Sequence, residues 1–404
     1  MNRLEIKKNE HPEKNYMKFY FDWLYYLGTG ECWYEERPPR SPTSDLFYKM
    51  WCFASYAYVF GGFVNEYLAF FFELTDVEFQ TLCLHSIGHS CIMLKIAVLF
   101  LRRERIKVFC KRFFKTNGEY SSEKLNQESV RKARILCYVL NIVVYFCLAM
   151  WLVSAILYLY HNSISDTPIR SIITLYPSMD EPSLFHNFVR VLIEVHWYYA
   201  CLVMNVIDCI SLCALVFLSY KFKYLQFYYE SLRDKYFKLA DKKSREALEE
   251  EYEKDFITGI KLHQDVLWCA RNVQETLGPL YSIQTVEGIA LIGISLLKMA
   301  SAGRNISYFW ANFTYVVAIT MLTAAYMIPG GDVTYAASRL PVSIFYGGWE
   351  AVRPRRRLRT IIVVTIINSQ VPVIMTAFGI IELSYSNLIM VKLYVVLFRE
   401  NLSR

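Results

Sequence analysis

Apolar residues in this chain collect into long blocks separated by short polar gaps. The blocks cover Phe47–Phe72, Val77–Leu101, Ile135–Tyr160, Val189–Tyr220, Leu280–Met299 and Tyr308–Ile328. Runs of about 20 apolar residues need hydrocarbon as their solvent, because each is the length of one helical crossing. A last apolar stretch, Leu358–Phe398, is too long for one crossing and is interrupted by Asn368, Ser369, Gln370, Pro372 and Gly379. Hydropathy leaves it as one span or two. With one crossing, the pattern predicts an all-α, seven-transmembrane helical protein.

The polar gaps set the orientation. Eleven Lys and Arg lie between Arg102 and Arg134, eleven more between Lys221 and Glu275, and the gap Gly330–Arg359 ends in Arg353, Arg355, Arg356, Arg357 and Arg359. The intervening gaps are poor in bases: none in Glu73–Asp76, only Arg170 in His161–Phe188, only Arg304 in Ala300–Ser307. Basic gaps belong on the cytosolic side. The alternation therefore predicts a cytosolic N-terminus and an extracellular C-terminus, opposite to a G-protein-coupled receptor. The sequons at Asn305 and Asn401 fall outside under this topology. The polar N-terminal stretch has no apolar core of a cleavable leader, so the first span is expected to direct insertion.

The long gap after the fourth block is itself patterned. Leu225, Tyr228, Leu232, Tyr236 and Leu239 recur at helical spacing, as do Leu248, Tyr252, Phe256, Ile260, His263 and Leu267 after a polar break. Two amphipathic helices are predicted, prolonging the fourth and fifth spans into the cytosol. Their stripes suit a cytosolic helical domain, a subunit contact or a self-contained hairpin.

Composition changes this picture little. Hydrophobic residues make up 54%, aromatics 16% and charged residues 20%, with a net charge of +7. The bases are juxtamembrane, where they meet anionic headgroups of membrane lipid, so nucleic acid is not an expected partner. The eleven cysteines lack zinc spacing, and Cys32, Cys110 and Cys269 fall in cytosolic segments, so neither a metal nor disulfides are expected. Nucleotide loops and nucleophile elbows are missing; no cofactor and no catalysis are expected.

Ionisable groups inside spans are costly and mark candidate sites. His85 and His89 stand four residues apart on the second span, followed by Lys95. The fourth span carries Glu194 and His196 near its outer end and Asn205 and Asp208 deeper, the latter two suited to interhelical hydrogen bonds. Aromatic and small polar residues crowd the outer halves of several spans: Trp151, Ser154 and Tyr158; Trp197, Tyr198 and Tyr199; Tyr308, Phe309, Asn312 and Tyr315. Such a lining suits a pocket for a small volatile apolar ligand or an interfacial aromatic belt.

The C-terminal third carries a family resemblance. Gly331-Asp332-Val333-Thr334-Tyr335-Ala336-Ala337-Ser338, then Ser343-Ile344-Phe345-Tyr346-Gly347-Gly348-Trp349, then Asn368-Ser369-Gln370-Val371-Pro372-Val373 with Thr376-Ala377 and Gly379, resemble the insect odorant receptors, in style nearest the moth tuning subunits. The family's Tyr-Ser pair in the last helix is absent here. The Thr-Tyr…Gln-Phe ending of the sister gustatory receptors, the nearest alternative, is also missing. The resemblance implies a cytosolic anchor domain containing Leu358–Met375, and a last helix from about Gly379 to Phe398 lining a pore. It implies a heterotetramer with odorant co-receptor subunits in the plasma membrane of an olfactory dendrite, gated by a volatile odorant and passing cations. The implied pocket draws on Leu82, His85, Ser86, His89, Trp151, Ser154, Tyr158, Tyr198, Tyr308 and Asn312. The implied pore lining is Tyr394, Leu397, Phe398 and Asn401.

Overall fold

The computed structural model describes residues 12–37, 41–115, 122–165, 172–177, 183–301 and 306–389. The described part is almost wholly helical. It comprises α1 (Pro12–Tyr26), α2 (Pro42–Leu68), α3 (Asp76–Leu101), α4 (Arg103–Lys115), α5 (Glu123–Ser165), α6 (Leu184–Leu239), α7 (Arg245–Ser301), α8 (Ile306–Phe345), α9 (Trp349–Val352) and α10 (Arg356–Ser369). A hairpin of two-residue strands, β1 (Thr376–Ala377) and β2 (Ile381–Glu382), follows.

Local chemistry sets the helix starts. Ser41 caps α2 by accepting from the Ser44 amide, and Pro42 supplies a first-turn residue with no amide to satisfy. Thr75 and Glu78 form a reciprocal capping box at α3. All six apolar blocks emerge as helices. Among the described residues, five helices are long and apolar enough to cross a membrane: α3, α5, α6, α7 and α8. α2 is rich in aromatics instead, and Phe47, Met50, Phe53 and Phe60 stand exposed along it.

α6 is the axis of the bundle. Every residue from Val203 to Phe222 is buried, as a helix surrounded by other helices requires. It packs against α1, α2, α3, α5, α7 and α8. α5 lies peripherally, with Ile135, Tyr138, Ile142, Tyr145 and Phe146 outward. At 56 residues α6 is roughly 84 Å long, far beyond a hydrocarbon core of about 30 Å. α6 and α7 thus continue past their apolar sections as an antiparallel pair. Tyr229, Tyr236, Tyr252 and Phe256 interlock along it, and the Tyr252 hydroxyl donates 3.0 Å to the Gly347 carbonyl. At its far end the Lys243 and Lys235 ammonium groups hold the Glu251 carboxyl below its ordinary range.

Three features differ from the sequence-based reading. The N-terminal segment forms α1, whose Met17, Phe21 and Leu24 are buried against the bundle. The basic gap after α3 contains α4, with Ile106, Phe109, Cys110, Phe113 and Phe114 inward and its bases outward. Gly379, the expected start of the last span, sits in the β1–β2 turn with φ 70° beside Phe378 at φ 55°. Helical geometry resumes only at Tyr385. The side chain of Gln274 on α7 clamps β1, donating to the Thr376 carbonyl (2.8 Å) and accepting from the Thr376 amide (3.0 Å).

Gly348 links α8 to α9 with φ 85°, and a Cβ there would lie 2.6 Å from the Arg233 Cα. Gly348→Ala therefore meets both left-handed strain and a backbone clash, and is expected to destabilise the purified protein by about 2–4 kcal/mol. Melting in detergent checks this; an unchanged transition would show that α6 and the α8–α9 corner do not pack this closely.

Candidate functional site

Among the described residues, polar clusters lie inside the apolar bundle, two of them built on α3. The deeper joins four helices. Lys95 on α3 is fully buried, and its ammonium donates to both oxygens of Asp208 on α6 (2.9 and 3.1 Å) and to Gln284 Oε1 on α7 (2.5 Å). Glu287 Oε2, one turn along α7, lies 3.2 Å from the same nitrogen. The Tyr326 hydroxyl on α8 donates to Asp208 Oδ1 at 2.6 Å. One turn earlier on α6, toward the second cluster, Asn205 donates to Asn141 Oδ1 at 2.7 Å, tying α6 to α5. The interhelical role expected for Asn205 and Asp208 is what the geometry shows.

The second cluster lies about 9 Å nearer the start of α3, six residues back along the helix. Glu66 of α2 is buried; Ser86 donates to its Oε1 at 3.2 Å, and His89 Nδ1 lies 2.7 Å from its Oε2. The His196 ring of α6 stands 4.7 Å from that of His89, and Trp197 covers both His89 (4.9 Å) and His85 (5.3 Å). Tyr58 and Phe63 meet the two imidazoles edge-on. Gly62 permits this arrangement, since a Cβ there would sit 2.3 Å from the His196 ring.

The structure thus brings His85, Ser86 and His89 together with a histidine and a tryptophan of α6. Leu82 lies elsewhere, fully buried in a small outer cluster with Ala69 and Ile173. Tyr198 turns toward α5 and donates to the Leu148 carbonyl at 3.2 Å. Trp151, Ser154 and Tyr158 lie on α5, and Tyr308 and Asn312 on α8, with side chains outside those described; Tyr394, Leu397, Phe398 and Asn401, and the sequon residues Asn305 and Asn401, fall outside the described residues altogether.

Sequence reading missed Glu66, Gln284, Glu287 and Tyr326. The signal for the two glutamates was present, as each is an acid inside an apolar block. Nothing in the sequence showed which of the many tyrosines and glutamines would turn inward. Among the described residues no three His, Cys, Asp or Glu side chains converge as metal ligands.

A bundle in which five of the described helices are long and apolar enough to cross a membrane is that of a polytopic membrane protein. The 7tm odorant receptor family matches residues 75–391, and the chain belongs to that family. It is an odorant receptor and not an enzyme. The fold is similar to the olfactory receptor OR5 of Machilis hrabei in complex with eugenol, with TM-score 0.74 at 10% identity over 96% of this chain and 99% of that one. It is equally similar to the OR5 structure described without eugenol, with TM-score 0.74 at 11% identity over 95% and 98%. No curated protein sequence matches the chain.

Removing the Lys95 charge leaves Asp208 and Glu287 buried without a cation. Lys95→Met is expected to cost about 3–5 kcal/mol, and Tyr326→Phe, which removes one hydrogen bond to a charged group, roughly 1.5–3 kcal/mol. Detergent melting curves rank the two; a Tyr326→Phe effect equal to or above that of Lys95→Met contradicts the assignment of the ammonium as the centre.

Proposed function

We propose that the chain is the odorant-binding subunit of a heteromeric, odorant-gated cation channel. It assembles with odorant co-receptor subunits as a tetramer in the plasma membrane of an olfactory sensory dendrite. The observation that carries the assembly part is an uncovered apolar face. α10 begins in the basic run Arg353–Arg359 and presents Val363, Val364 and Ile367 outward on one side, followed by Val371, each about half exposed or more. Contiguous aliphatic surface on a segment flanked by arginines marks a protein interface. Tyr335 on the far part of α8 and Tyr346 just past its end are exposed as well. The body made by the ends of α6–α8 with α9 and α10 serves as the anchor, and the last helix from Tyr385 onward lines the pore with Tyr394, Leu397, Phe398 and Asn401.

The ligand pocket lies among the outer halves of the spans, at the level of His85, Ser86 and His89, and includes Trp151, Ser154, Tyr158, Tyr198, Tyr308 and Asn312, with Leu82 at its rim. A ligand opens such a channel only by binding the open state better than the closed one.

Whole-cell current during exposure to a volatile panel, in cells expressing this chain with and without an odorant co-receptor, tests the reading. Rapid cation current only with the co-receptor is the expected result. Current from the chain alone would point to a self-assembling channel of the gustatory type. A slow response that requires G protein would overturn the proposal.

A further inference from the structure

The upper cluster holds two imidazole nitrogens with a specific, complementary need. His89 is fully buried and His196 is 2% exposed, yet Nε2 of each has no hydrogen-bond partner among the described residues. A buried unmet donor or acceptor costs on the order of 1–3 kcal/mol, so two side by side indicate a group that completes them.

What each nitrogen offers follows from its opposite side. His89 Nδ1 faces Glu66 Oε2 at 2.7 Å, and Ser86 donates to the other carboxyl oxygen. Desolvation favours the charge-neutral form of this pair, either a carboxylate beside an imidazolium or a carboxylic acid beside an imidazole. Both forms put a hydrogen on His89 Nε2, making it a donor. A neutral His196 carries one ring hydrogen, and with that hydrogen on Nδ1 its unpartnered Nε2 is a bare acceptor. One donor and one acceptor thus stand on adjacent rings whose centroids are 4.7 Å apart, walled by Trp197, Tyr58 and Phe63. A hydroxyl group accepts and donates through a single oxygen. An ether accepts but cannot donate, and a hydrocarbon does neither.

We propose that His89 and His196 form a hydroxyl-recognition subsite, with Glu66 and Ser86 positioning His89, and that the odorant is a small volatile alcohol. The inference rests on the odorant-gated reading above and adds the ligand class. The alcohol oxygen accepts from His89 Nε2 and donates to His196 Nε2, while its hydrocarbon part packs on the aromatic walls. Gly62 supports the subsite by letting the His196 ring lie flat on α2, where any side chain would displace it.

The test compares volatile alcohols with their methyl ethers and parent hydrocarbons, using odorant-evoked current in cells expressing this chain with the co-receptor. Each hydrogen bond is worth roughly a factor of ten in potency, so the best alcohol is expected to exceed its ether by about tenfold or more. His196→Phe and His89→Phe are expected to bring that ratio close to one. His196→Gln, which keeps polar atoms at the position, is expected to retain an intermediate ratio and serves where a phenylalanine variant fails to reach the surface, as judged by surface biotinylation. Equal potency of alcohol and ether in the unaltered chain overturns the subsite. So does an alcohol preference that survives in the His89 and His196 variants, the result expected if the two nitrogens hold only a buried water. Silence toward every volatile at confirmed surface expression overturns the odorant-gated reading itself, and the subsite with it.

Discussion

A lysine ammonium in the middle of a hydrocarbon-soluble bundle is the constraint around which this structure is arranged. On insertion scales an unpaired Lys at the centre of a spanning helix costs about 2.5–3.5 kcal/mol. Lys95 escapes that cost only where Asp208, Gln284 and Glu287 reach it together, and Tyr326 donates to the same Asp208 Oδ1. Those partners come from three different helices. The charge can be satisfied in only one mutual arrangement of α3, α6, α7 and α8, so it specifies register where apolar packing alone would tolerate sliding. Lipid supplies no hydrophobic force between spans, which makes such specific polar contacts the means of choosing one packing over its neighbours.

The position of α6 follows from the same logic. It carries Asp208 and Asn205, and it is enclosed on all sides from Val203 to Phe222. With its lower part tied to α3, α7 and α8 through Asp208 and to α5 through Asn205, its upper part is left to present His196 and Trp197 to α2 and α3. One rigid helix thereby links the polar cluster nearer the outer end, where the pocket is proposed, to the antiparallel pair it forms with α7.

Much of the helical architecture was legible in the sequence because hydrocarbon imposes a coarse and unmistakable pattern: a block of apolar residues is a helix. The long amphipathic repeats from Leu225 to Leu267 were equally plain, since a buried stripe on a charged helix leaves a three-and-four spacing. α1 was hidden because its apolar residues, Met17, Tyr20, Phe21 and Leu24, are diluted by lysines and acids, and its helix is held by tertiary contact. α4 was hidden for the same reason among the bases after Leu101. Of the second polar cluster, His85 and His89 were singled out by their cost inside a span and Ser86 by its place in the outer half of that span. Their partners were not, because which helix face meets Glu66 or His196 depends on the rotation of α2 and α6 about their axes, a quantity that near-uniform hydrophobicity leaves unspecified. The hairpin at Thr376–Glu382 was missed because two-residue strands produce no period.

The most direct test of the claim that the Lys95–Asp208 contact fixes the bundle is a charge exchange read by surface expression and detergent melting. Lys95→Asp and Asp208→Lys are each expected to lower both readouts sharply, since each buries like charges together. Combined in one chain they restore an opposite-charge pair at the same place, and part of the loss is expected to return, with Glu287 left beside the exchanged carboxylate. Single variants indistinguishable from the unaltered protein, or a combined variant no better than the worse single one, would contradict the account.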